Sequence, residues 1–229
     1  MKVSDIHKAF KVIMDKNSEA VAFGGCPAFL PEEIDLFLNQ AYIEVLNNKF
    51  TGMNTMQIGF EGSVKRIADL ESLIKTDKSI VASVETGTNV ITVNDFFGSE
   101  GVYNRMFYIT SVLHFEDNTS TCVLVDHDSA RKFLKAYNND PWIDTPVSTL
   151  EDNKLKVYVD THTMKAPYTL DITYVKFPIK IDYTTPNTEI NEVPDRVMYE
   201  VINRAVVIAL ENIESKRTET KLQINNLQE

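Results

Sequence analysis

The sequence predicts an α+β fold: a discontinuous helical bundle built from both ends of the chain, with an antiparallel β-rich domain inserted between them. Three observations carry this. Apolar residues recur at helical spacing through the first 75 positions, alternation takes over from Ile80, and helical spacing returns after Pro194. The expected division is 1–77 plus 184–214 for the helical domain, 78–183 for the β-rich insert and 215–229 for a C-terminal tail.

Taken in order, Ser4 is a candidate cap for a first helix reaching Lys16, with Ile6, Ala9, Phe10, Ile13 and Met14 on its apolar stripe. His7 falls on the polar side and reads as a solvated histidine. Asn17 to Leu30, with Gly24, Gly25 and Pro27, reads as a loop. The clearest helix is Pro31–Phe50, where Ile34, Phe37, Leu38, Ala41, Val45 and Leu46 share one face. Pro31 suits the first helical position, and Glu32 and Glu33 suit the positive end of the helix dipole. A third helix is expected from Ser63 to about Lys75, capped by Ser63, with Val64, Ile67, Leu70, Leu73 and Ile74 facing inward.

The β-rich stretch opens with Ile80–Val84 and Asn89–Val93, which flank Glu85-Thr86-Gly87-Thr88 as a hairpin would. Tyr103–Phe115 reads as one long strand or two short ones, turned by Glu116–Thr119 into Thr121–Val125. Ser129–Ala136 has the spacing of a short helix, and Asn138–Pro146 reads as a loop. Leu155, Val157 and Val159 alternate, as do Leu170, Ile172 and Tyr174. A last helix starts at Pro194, with Val197, Val201, Ile202, Ala205, Ile208 and Ala209 on its stripe, and is the expected partner of the Pro31 helix.

Composition narrows the function classes. With 23 basic and 33 acidic residues the net charge of the 229-residue chain is −10, which disfavours general nucleic-acid affinity because phosphate neutralisation needs clustered Lys and Arg. Cys26 and Cys122 stand far apart without metal-like spacing and read as reduced thiols. No apolar h-region opens the chain, so no signal peptide is expected, and no window has the ~18 apolar residues of a membrane span.

Candidate chemistry is sparse. Asp126-His127-Asp128 is the densest ligand-like cluster, with His114, Asp160 and His162 as conceivable further donors for a metal-dependent hydrolase or nuclease. Neighbours on a strand point to opposite faces, so a turn with capping acids is the competing reading and no metal or cofactor is expected. Gly24-Gly25-Cys26-Pro27 lacks the His or cationic neighbour that activates a thiol. Trp142 is a candidate ligand-stacking or subunit-contact aromatic, with a loop anchor as the competing reading, and together with Tyr103 it would serve a carbohydrate- or protein-binding module. The tail combines Lys216, Arg217 and Lys221 with Leu222, Ile224 and Leu227; a frayed terminus is the default reading, and a segment that orders against a neighbouring subunit is the alternative.

The succession SDIHKAFKVIMDK, PEEIDLFLNQAYIEVL, ITYVKFP and EVPDRVMYEVINRAVVIALENIESKR resembles the head–tail connector, or ring, proteins of short-tailed bacteriophages. It is most similar to the adaptor proteins of crAss-like phages and more distantly to the tail tubular protein A type. The resemblance implies a non-enzymatic virion protein forming a ring, typically of twelve copies. Such a ring docks below the portal protein, meets the next tail protein and passes DNA through its lumen without sequence-specific binding. It also turns the polar face of the Pro31 helix, Asn39, Gln40, Glu44 and Asn47, into a candidate subunit contact.

Overall fold

Ala205 to Leu210 are six consecutive buried residues, so that stretch of the helix carrying them is covered on every side. In the computed structural model this helix, α4 (Asp195–Asn212), lies between α1 (Val3–Asn17) and α2 (Pro31–Thr51). The structure describes residues 1–17, 29–52, 60–82, 89–94, 96–97, 105–116, 118–130, 145–159, 164 and 166–212. The fold is α+β, with two compact units: 1–73 with 178–229, and 74–177.

In the first unit, all six expected stripe residues of α4 are buried, together with Met198, Val206, Val207 and Leu210. Pro194 stands one position before the helix, its carbonyl accepting from Val197 and Met198. α2 runs antiparallel to α4, as Glu44 pairs with Arg204 at 2.7 Å and Lys49 with Glu200 at 2.7 Å. Glu33 accepts from the Leu30 N–H at 2.8 Å at the start of α2, and Gly52, at φ 76°, closes its end in the left-handed region open to glycine. α1 starts at Val3 rather than after a Ser4 cap; the Ser4 and Val3 N–H groups donate to the Pro186 and Thr188 carbonyls instead.

The third helix departs most from expectation. α3 (Val64–Leu70) is capped by Ser63 as expected, but it gives way to a 3-10 turn, Glu71–Leu73, and then to a strand at Ile74. Its buried face is Arg66, Asp69 and Leu70, whereas Val64 is 83% exposed and Ile67 39%. Charge pairing has overridden the apolar stripe.

The second unit is one curled seven-stranded sheet. Its strands are β1 (Ile74–Ala82), β2 (Val90–Val93), β3 (Arg105–Phe115), β4 (Asn118–Leu124), β5 (Val147–Glu151), β6 (Lys154–Tyr158) and β7 (Tyr168–Lys176), in spatial order β1-β7-β3-β4-β5-β6-β2. The sheet is mixed, correcting the antiparallel expectation: β4 and β5 pair in parallel through Val123–Val147 and Leu124–Ser148. Nor, among the described residues, does Ile80–Ala82 pair with Asn89–Val93 as the expected hairpin would. β1 pairs with β7 and β2 with β6, because apolar faces set the pairing over long range while a turn signal is only local. Leu155, Val157, Leu170, Ile172, Phe115 and Tyr168 share the core of this unit.

Two of the turns are chemically explicit. Glu116, at φ 46°, turns β3 into β4, and β5 and β6 are joined by Asp152 and Asn153 at φ 51° and 55°. Asp and Asn tolerate that region, and two such residues give a hairpin the right twist.

Candidate functional site

The side chains expected to offer a subunit contact on α2 divide into two groups. Asn39 is committed internally: its Nδ2 donates to the Asp35 and Ile181 carbonyls and its Oδ1 accepts the Ile181 N–H, each at 2.8 Å. The amide thus acts as a short strand edge for the segment following Pro178. Glu44 is held by Arg204 and also accepts from Gln40 at 3.1 Å. The Asn47 carbonyl accepts the Thr51 hydroxyl, a bond within the helix. What remains outward is Gln40, flanked one turn to either side by exposed Leu36 and Ile43.

His7 is not solvated. It is 2% exposed, its Nε2 lies 2.7 Å from Asp35 Oδ1, and Tyr183 packs its ring 4.7 Å from the imidazole. The second Asp35 oxygen accepts the Tyr183 N–H at 2.9 Å. Asp35, Asn39 and His7 therefore seat residues 181–183 against α1 and α2. A His–carboxylate pair of this kind also orients catalytic imidazoles, but here Nδ1 is buried with no hydrogen-bond partner among the described residues. Its geometry is that of a strut.

The second polar assembly surrounds Asp69. This carboxylate is fully buried between Lys49 Nζ at 3.0 Å and Arg196 Nε at 2.6 Å, and Lys49 also reaches Glu200. Arg66 donates to the Lys49 carbonyl at 3.4 Å. One acid thus gathers side chains from α2, α3 and α4. Nearby on α2, burial and then the charge of Glu192 push the Tyr42 phenol far above its ordinary range, so it stays protonated. Glu192 itself accepts from the Ile179 N–H at 2.6 Å, and its carbonyl accepts the Ser72 hydroxyl.

In the β unit, Arg105 is 1% exposed and lies between the Phe96 and Tyr174 rings, 5.1 and 5.0 Å from their centroids. It donates to Asp77 at 2.6 Å and to the Phe96 carbonyl at 2.8 Å. Burial and the Asp77 carboxylate raise the Tyr174 pKa, while Arg105 acts against them. Asp171 accepts the N–H of Ser79, a bulge residue at φ 55°, at 2.7 Å and pairs with His114 at 3.2 Å. Those contacts, the Ser79 bond first, hold its carboxyl below the usual aspartate range.

Asp126, His127 and Asp128 lie at a helical turn rather than on a strand, the Asp126 carbonyl accepting from Ser129 and Ala130. All three are exposed, and His114 is engaged with Asp171. No group of three His, Cys, Asp or Glu among the described residues is arranged to hold a metal ion. Cys26, Tyr103, Trp142, Asp160 and His162 lie outside the described residues, as do the tail residues Lys216, Arg217, Lys221, Leu222, Ile224 and Leu227.

The internal roles of His7, Asp69 and Arg105 had no local signal, since the partners of each are fixed by tertiary pairing. The Asp152–Asn153 turn did carry one, in its two adjacent residues tolerant of positive φ. Neither a scan of protein-family models nor a search of curated proteins matches this chain to anything.

Proposed function

We propose that this chain is a non-enzymatic structural protein, the head–tail connector ring of a short-tailed bacteriophage virion, docked between the portal protein and the next tail protein. The observation that carries the reading is how the first unit uses its ionisable groups. Asp69, Lys49, Glu200 and Arg196 tie three helices together, and His7 and Asp35 fix the returning chain. The polar groups are struts, while α2 and α3 keep apolar side chains outward, as a subunit that buries surface against neighbours requires. The net charge of −10 is suited to a channel that DNA traverses without sticking.

The resemblance supplies twelve as the expected number of copies. Electron microscopy of the purified chain, alone and mixed with a candidate portal protein, tests the reading. Closed rings stacked on the portal support it; a chain that associates with neither itself nor the portal overturns it.

A further inference from the structure

The sheet of the β unit begins at β1 and ends at β2, so these two strands are its edges. They are consecutive in the chain, and the curl of the sheet brings them back together. Cα atoms of β1 and β2 approach within 8 Å, yet among the described residues no strand ladder joins them. The unit is a barrel with one unzipped seam, where closure by pairing would have removed both edges.

Arg105 ties the two sides of that seam. Its Nη2 donates to Asp77 Oδ2 on β1 at 2.6 Å, and its Nη1 donates at 2.8 Å to the carbonyl of Phe96, three positions beyond β2. The other Asp77 oxygen accepts the Tyr174 hydroxyl at 3.1 Å, which adds β7 to the assembly. The Phe96 and Tyr174 rings flank the guanidinium. A planar fork that donates in two directions and stacks on aromatic faces suits this position, and a lysine ammonium offers neither property. The Phe96 side is anchored again, its N–H donating to the Asn153 carbonyl and the Phe97 N–H to Asn153 Oδ1, both at 2.7 Å. Phe96 belongs to the apolar core with Ile91, Leu155 and Ile172, so a parted seam would wet that core.

We infer that Arg105 is a latch on this seam, closing the β unit into a barrel by a side chain where strand pairing is lacking. With the latch released, β1 and β2 part while the ladders joining β7, β3, β4, β5 and β6 remain formed. The seam is thus the first place at which the unit opens, and the latch keeps the β1 edge from serving as a template for an added strand. The inference concerns the β unit alone and stands or falls independently of the ring reading.

Hydrogen–deuterium exchange of the full chain, resolved by peptide and with circular dichroism as a check on folding, tests it. R105M keeps an unbranched apolar stem and removes the fork. It is expected to accelerate exchange at least about tenfold across Ile74–Ala82 and Val90–Phe97, with less than about twofold change in the Ser111–Phe115 ladder to β4. D77N changes a side chain that is 30% exposed and removes the charge from the β1 side of the latch. It keeps the fold should R105M lose it, and the same two segments are expected to speed up by about three- to tenfold. Uniform acceleration across all seven strands would make Arg105 a general stabiliser and overturn the latch. Unchanged exchange in β1 and β2 of D77N would overturn it as well.

Discussion

The Asp69 carboxylate, with no exposure to solvent, lies 3.0 Å from the Lys49 ammonium, which itself is only 9% exposed. Bringing these two charges out of water is costly, and their pairing holds only because Arg196 and Glu200 complete the set. Asp69→Asn leaves Lys49 and Arg196 short of an anion and should cost about 3–5 kcal/mol. Arg196→Ala removes a half-exposed partner and should cost about 1 kcal/mol or less. Urea denaturation of the two variants measures both, and equal losses would contradict the central place of Asp69.

Asn39 is expected to control the segment that returns to the helices. Asn39→Ala strips the Ile181 N–H and C=O of their partners at a site 2% exposed, a loss of about 1–3 kcal/mol. Amide hydrogen exchange at Ile181 and Tyr183 should accelerate, while exchange in the middle of α4 changes little. An unchanged rate at Ile181 would show that the clamp is idle.

Asp171 gives the β unit an acid limb. Its pKa is depressed from 3.8 in the folded chain, so its contribution to stability is present above that value and disappears as the pH falls through the lower folded value. Thermal melts of the wild type should therefore fall more steeply as the pH drops below about 4 than those of Asp171→Asn, which has no such proton to bind. Parallel curves would remove the Ser79 and His114 contacts from the account.

Cys122 should be inert in the native protein. It is 5% exposed, and burial pushes its thiol up to about 11, so the nucleophilic thiolate is scarce at pH 8. Iodoacetamide followed by peptide mapping should modify it only as the chain unfolds. Rapid native labelling at Cys122 would contradict the burial of β4 against the β-unit core.

The readable parts of the fold were those set by local periodicity. Ile34, Leu38 and Val45 on α2, and Leu155, Val157, Leu170 and Ile172 in the sheet, have the burial their spacing predicts. β5 is not legible in the sequence because Ser148 and Thr149 are buried polar residues that break the alternation. Ile74 continues a helical pattern yet pairs with Val175, since strand pairing outweighs a weak propensity. The candidate site was less legible still. Asn39 and Glu44 read as outward polar residues, but their partners, Ile181 and Arg204, lie more than 140 positions away. The exposure of Leu36 and Ile43 has no sequence signal, because apolar residues on a helix ordinarily belong to its core.

The most direct test of the central claim is the particle the chain forms. Two-dimensional class averages of the purified protein mixed with its portal should show closed rings, with a native mass an integral multiple of the 26.0 kDa chain and near twelve copies. A single 26.0 kDa species at every concentration, bound to no portal, would contradict it.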